Sequence, residues 1–255
     1  MAEQAVRLNK YLSEAGVCSR READRRIEAG DVCVDGVKAS VGQRILPSQE
    51  ITFCGKKVTA EEEKILLLFH KPAGIVVTDE RREKNNLTDF LQYPKRVFPV
   101  GRLDKASRGL LLLTNQGELV NAIMRARNYH EKEYEVRIRE EVTDDFLRRM
   151  SEGIYLSELK VKTRKCEVKR RDAHSFSIIL TQGLNRQIRR MCGELGAHVT
   201  DLKRTRIMHF LLDGIEEGAF RDATKEEWER LYAAIRPQPQ ERISAQSGSV
   251  KKGKR

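Results

Sequence analysis

The stretch VGRLDKASRGLLLLTNQGEL, residues 100–119, sets one acid, Asp104, ahead of a basic Lys-Ala-Ser-Arg segment and a wholly apolar run, Leu110 to Leu113. An apolar run of that length, bounded by turn-forming residues on both sides, reads as a buried strand. The segment therefore predicts a strand end that presents Asp104, with LLLLT behind it as core. Moving outward, ILLLF (65–69), IVVT (75–78), YEVRI (134–138) and FSIILT (176–181) have the same strand-like composition. They alternate irregularly with the helix patterns TDDFLRRMSEG (143–153), LNRQIRRMCGELG (184–196) and TKEEWERLYAAI (224–235). In the last of these, Thr224 and Glu227 have capping-box spacing, and Trp228, Leu231, Tyr232 and Ile235 form the apolar stripe. Such a mixture predicts an α+β domain over residues 65–235, with a mixed, largely antiparallel sheet flanked by helices.

Residues 1–60 read as a separate, smaller α/β module. RLNKYLSEAG (7–16) predicts a short helix with Leu8, Tyr11 and Leu12 on one face, closing at Gly16. Ser19 starts a second helix, and Glu22 stands three residues on, the spacing of a capping box; Gly30 ends it. VCVDGVKAS (32–40) predicts a hairpin turning at Asp35-Gly36. The acidic, helix-prone piece AEEEK (60–64) contains a linker at residues 61–64. The tail, 236–255, has no apolar periodicity and reads as basic and disordered.

The 255 residues carry a formal net charge of +11, which suits a polyanionic partner, nucleic acid first among them. Nearly half of the excess lies in the tail, where six basic residues face one acid, so a basic surface elsewhere must come from clustering. One cluster poses a physical puzzle: Arg20 and Arg21 fall in the first turn of a helix, where the macrodipole disfavours positive charge. A phosphate held by the free N–H groups and the arginine forks resolves it. Arg25 extends that surface by a turn, with Arg7 and Lys10 joining from the preceding helix. The five cysteines are odd in number and scattered without zinc-site spacing, which predicts free thiols, no metal and a reducing, cytoplasmic setting. No stretch has the length of a signal peptide's apolar segment or of a membrane span.

No phosphate loop, dinucleotide fingerprint, HExxH or GxSxG motif is present. Chemistry, if any, must then use ordinary side chains, and four segments stand out: HKPAG (70–74), GRLD (101–104), KEY (132–134) and LNRQIRRM (184–191). In the last, Ile188, Met191, Cys192 and Leu195 form an apolar stripe, with Arg186, Arg189 and Arg190 off it.

RLNKYLSEAGVCSRREADRRIEAGDVCVDGVKAS (7–40) resembles an S4 RNA-binding domain along its whole length. HKPAG, GRLDxxSxGLLLLTNQGEL, KEY and GLNRQIRRM, in that order, resemble the RsuA/RluA superfamily of pseudouridine synthases. The S4 module narrows this to the RsuA-like branch. YHEKEY with LKRTRIM (202–208) is most similar to the RluF type, which acts on large-subunit ribosomal RNA. The resemblance implies that Asp104 is the catalytic aspartate and that Tyr134 stacks on the target base and takes part in later proton removal. It implies that Arg189 pairs with the aspartate, that either Leu202 or Ile207 supplies an apolar floor, and that Lys71 is structural. Arg7, Lys10, Ser19, Arg20, Arg21, Arg25, Arg186 and Arg190 become candidate RNA-binding residues. So does Arg102, which would grip phosphate or fill the space the base vacates. The partner implied is ribosomal RNA, with transfer RNA as an alternative; no cofactor, metal or membrane is implied, and the chain is expected to be a monomer. The rival class is a non-catalytic RNA-binding factor of ribosome assembly.

Overall fold

The computed structural model describes residues 5–235 apart from 47, 60–62, 79, 81, 126 and 127. The tail, 236–255, lies outside the described residues, as do residues 61 and 62 of the expected linker; Glu63 and Lys64 are not helical.

In the N-terminal module the apolar positions fold as their spacing requires. β1 (Val6–Arg7) leads into α1 (Leu8–Glu14), which buries Leu8 and Leu12. α2 (Arg20–Glu28) buries Ala23 and Ile27 and packs on α1. The Ser19 hydroxyl caps α2 by accepting the Glu22 N–H at 3.2 Å. The Glu22 carboxylate does not complete the expected box; it is held by Arg25 and Arg26, whose forks compete better for it than one backbone donor. β2 (Val32–Val34) and β3 (Val37–Lys38) form the hairpin, with Asp35 and Gly36 both at positive φ, as a type I′ turn demands. β4 (Arg44–Ile45) pairs with β1, and β5 (Ile51–Phe53) joins β2 to β6 (Lys56–Lys57). Leu8, Leu12, Ile27, Val32, Ile45 and Ile51 make this module's own core.

The rest of the first compact unit, which ends at Asp222, is built on one sheet. Its strands are β7 (Leu66–Lys71), β8 (Phe98–Pro99), β9 (Arg108–Thr114), β10 (Lys132–Ile138), β13 (Glu167–Asp172), β14 (Ser175–Leu180), β15 (Val199–Ile207), β16 (Phe210–Leu211) and β17 (Phe220–Asp222). The order is β13-β14-β10-β15-β9-β7-β17, with β8 attached to β9 and β16 to β15. Every pairing is antiparallel except β15 with β9. A small hairpin, β11 (Tyr155–Leu156) with β12 (Val161–Lys162), stands apart from it. Helices α3 (Leu87–Leu91), α4 (Gly117–Met124), α5 (Asp144–Glu152) and α6 (Gln187–Glu194) flank the sheet. α5 and α6 send Phe146, Met150, Ile188, Met191 and Cys192 into the core with Leu111, Leu113, Phe176 and Ile178. α7 (Lys225–Ile235) belongs to a second unit that begins at Ala223. Its capping box is reciprocal, Thr224 N–H to Glu227 Oε2 at 2.8 Å and Glu227 N–H to Thr224 Oγ1 at 3.2 Å. Among the described residues, no helix is long and apolar enough to cross a membrane.

Two expectations need correction. IVVT is not a strand: both edges of β7 are taken, by β9 and β17, and only Val76 forms a bridge, to Asn86. Asp104 does not end a strand either. Residues 101–107 are irregular, with Gly101 at φ +80 after β8 and a turn closed by Ser107 N–H to Asp104 O at 3.0 Å. β9 starts only at Arg108.

Candidate active site

The loop that carries Asp104 is fastened from two sides. Lys71, the last residue of β7, has no exposed surface, and its Nζ donates to Ser107 O at 2.7 Å and Pro72 O at 2.8 Å, with Lys105 O at 3.5 Å. Burial pulls its ammonium down to about 8, while the Asp104 carboxylate opposes that fall. Gly74 N–H adds a bond to Lys105 O at 2.7 Å, so HKPAG is the strap over which the Asp104 loop lies. From the other side, Arg189 on α6 donates to Ala106 O at 3.1 Å and Ser107 Oγ at 3.3 Å, and to Val199 O at 3.3 Å. Burial lowers its guanidinium from the ordinary range, Arg186 adds repulsion, and Asp104 and Asp201 counter both.

Arg189 thus reaches Asp104 through the loop. The ion pair recorded for the carboxylate is with Arg186, Nη1 to Oδ2 at 4.0 Å. Arg186 precedes the first turn of α6 at φ +52 and ψ +33, a left-handed conformation that costs a non-glycine residue roughly 1 kcal/mol or more. That geometry turns the side chain off the helix toward the loop. The pair remains wet, with the Asp104 side chain 31% exposed, so it stabilises the fold little and leaves the carboxylate accessible.

Asp104 lines a cleft of about 540 Å³. Across from it, β10 places alternate residues on one face, and its burial alternates accordingly at Lys132, Tyr134, Val136 and Ile138. Tyr134 lines the cleft and is 9% exposed; its register partner on β15 is Arg204, whose guanidinium lies 6.0 Å from the ring centroid. Leu202, two residues before Arg204 and on the same face, also lines the cleft, whereas Ile207 does not. A register shift between Glu133 and Tyr134 sets Ile207 opposite Lys132, beyond the residues of β15 that line the cleft. Gly109 lets the two halves of the sheet meet here: at φ +107, a Cβ on it would stand 2.2 Å from Arg204 O.

Of the basic candidates, Arg102 is exposed at the cleft and makes no hydrogen bond or ion pair with the described residues. Arg7, Arg20 and Arg21 are likewise exposed and unpaired among the described residues. Arg25 is exposed and bonded to Glu22. Lys10 departs from expectation: its Nζ contacts Glu118 of α4 at 2.5 Å, tying the N-terminal module to the larger domain. Arg96 makes a second tie, bonding to Cys18 O and to Ser13 Oγ. Arg190 is also committed internally, to Glu158 and to Asn185 O and Oδ1.

Residues 65–194 match the RNA pseudouridylate synthase family, and residues 6–51 match the S4 domain. The chain belongs to that synthase family. Among its relatives, the dual-specificity RNA pseudouridine synthase RluF of Escherichia coli K12 is 48% identical over 92% of this chain and 81% of its own. The ribosomal large subunit pseudouridine synthase B of Bacillus subtilis is 35% identical over 89% of this chain and 96% of its own. A crystal structure of a pseudouridylate synthase superposes with a TM-score of 0.66 at 29% identity, covering 89% of this chain and 99% of that one. The synthase therefore isomerises uridine in RNA, and its fold is that of a mixed-sheet catalytic domain behind an S4 module.

The motifs single out Asp104, Tyr134, Arg186 and Arg189, and three buried cations stand beside them. Lys71 was seen as structural, which fits its strap role. Lys132 and Arg204 were missed, although period 2 along KEY and along LKRTR puts Lys132 with Tyr134 and Arg204 with Leu202.

Proposed function

We propose that this synthase converts one uridine of large-subunit ribosomal RNA to pseudouridine, with Asp104 as the reacting group, Tyr134 as the stacking face and Arg189 as a positioning residue. The observation that carries the reading is an accessible carboxylate on a doubly fastened loop, facing a largely buried tyrosine across a cleft of nucleoside size. The reaction breaks the N1–C1′ bond, turns the base and joins C5 to C1′. The target base must first leave its stack, at a cost of a few kcal/mol that contact with Tyr134 offsets. Three routes satisfy the geometry: attack of Asp104 on C1′, addition to C6, or removal of the C2′ proton. Each needs the Asp104 carboxylate within contact distance of the nucleoside.

The S4 module supports a large folded RNA as substrate, read through backbone and shape by Arg7, Arg20, Arg21 and Arg25, with Arg102 at the cleft gripping the flipped strand. The protein acts as a cytoplasmic monomer in this reading. Transfer RNA is the second reading, favoured by the dual specificity in the name of the RluF relatives. Mapping pseudouridines in both RNA classes, from cells with and without the protein, tests the assignment. One site lost from large-subunit RNA is the expected result. Asp104→Asn should abolish turnover, by roughly 10⁴-fold or more, and leave RNA affinity within a few-fold of wild type. Isomerisation by that variant at the wild-type rate ends the assignment, and a wild-type protein that binds RNA but isomerises nothing leaves the assembly-factor alternative standing.

A further inference from the structure

We infer that Lys132 and Arg204 form the receptor for the negative charge that the reaction drives onto a carbonyl oxygen of the uracil ring, a reading that rests on the function proposed above. Both residues line the cleft on either side of Tyr134, with 5% and 2% of their surface exposed. Neither forms an ion pair with an acid among the described residues, although a buried uncompensated charge is expensive. Their hydrogen-bonding capacity is only partly used. Lys132 Nζ donates to His130 O at 3.0 Å, and Arg204 Nε donates to Leu110 O at 2.7 Å. Arg204 Nη2 is buried and has no partner. Lys71, the third buried cation, is different because its ammonium is already spent on backbone carbonyls. Burial and the repulsion of Arg204 bring the Lys132 ammonium down to about 8, which still leaves it charged at neutral pH.

The chemistry supplies what these donors lack, whichever route Asp104 takes. Displacement at C1′ breaks the C1′–N1 bond, and its electron pair enters the ring. Removal of the C2′ proton expels the base with the same pair. Addition to C6 sends the C5–C6 π pair toward O4. In every case the pair rests on the carbonyl oxygens, and it is returned when C5 bonds to C1′ and the C5 proton departs. Two fixed cations, each more than nine-tenths buried, stabilise that charge without reorganisation. They also disfavour cytosine, whose exocyclic amine would set donors against donors.

The test uses Lys132→Met and Lys132→Arg in the full chain, on a ribosomal RNA fragment bearing uridine or 5-fluorouridine at the target. Fluorine stabilises the same ring charge, so it should stand in for the lost cation. Single-turnover consumption of uridine should fall about 100-fold or more in Lys132→Met, with RNA Kd within about threefold of wild type. Lys132→Arg should recover at least about tenfold of that loss, and 5-fluorouridine should shrink it by a similar factor. Should Lys132→Met not fold, Lys132→Gln keeps a donor for His130 O without the charge and is read the same way. A rate within about threefold of wild type, or equal losses on the two bases, overturns the inference. Failure of the wild-type protein to isomerise ribosomal RNA would instead sink the proposed function.

Discussion

Arg20 and Arg21 on the first turn of α2, and Lys132 and Arg204 on the floor of the cleft, carry the same sign but face opposite solvents. The first pair is exposed, the second more than nine-tenths buried. In water a charge is screened within about 8 Å at physiological ionic strength, and its partner is any phosphate that arrives. In the cleft, screening is weak and each cation acts on a fixed point. On the proposed reading, charge of one sign does two kinds of work: the arginines on α2 would set how tightly and how salt-dependently RNA is held, and the cations in the cleft would set what happens to the base.

Three experiments would sharpen or break this division. The largest effect is expected from Arg189→Met, which unfastens one side of the Asp104 loop. Single-turnover rates should fall roughly 100-fold, because small misplacements of reacting groups cost that much, while RNA affinity barely changes. A parallel loss of affinity would show that Arg189 serves binding instead. Next, Arg20→Glu with Arg21→Glu should weaken RNA binding by about tenfold at low salt and reduce the log–log salt slope by about one to two. The rate at saturating RNA should hold; if it drops, the two regions are not separable. The smallest effect concerns stability and pH. Lys71 and Lys132 titrate near 8 in the folded protein, below their ordinary value, so the unfolded chain binds more protons above that point. Stability should rise from pH 8 to 9 by about 1 kcal/mol per lysine, measured by denaturant unfolding. Above pH 9 the half-buried thiol of Cys166 and the buried thiol of Cys192, raised to about 11 and about 12, pull the other way. Lys71→Met should lose about half of the rise.

The sequence was most legible where local chemistry decides. The apolar run before Thr114, the Asp35-Gly36 turn, the Ser19 and Thr224 caps and the stripe of α6 all stand where spacing puts them. It was least legible where a residue's state depends on distant backbone. Nothing near Lys71 says that Ser107 O will meet its ammonium, and nothing near Arg186 says that a left-handed turn will bring it to Asp104 ahead of Arg189. IVVT has strand composition but no free edge to join, a fact of topology. Lys132 and Arg204 lie between these cases: alternation along KEY and LKRTR puts them on the cleft face, but their charge gives no sign of burial.

The parallel pairing of the main sheet, Arg204 beside Gly109 and the only one there among the described residues, has a consequence for how the protein is made. A parallel join cannot be closed by a hairpin, and this one links residues about ninety positions apart, so its chain-closure entropy is met late. Asp104 stands on one side of that seam and Tyr134 and Arg204 on the other. A newly made chain accordingly stays chemically silent until that seam is closed, and the return of activity on refolding becomes a clock for that single step.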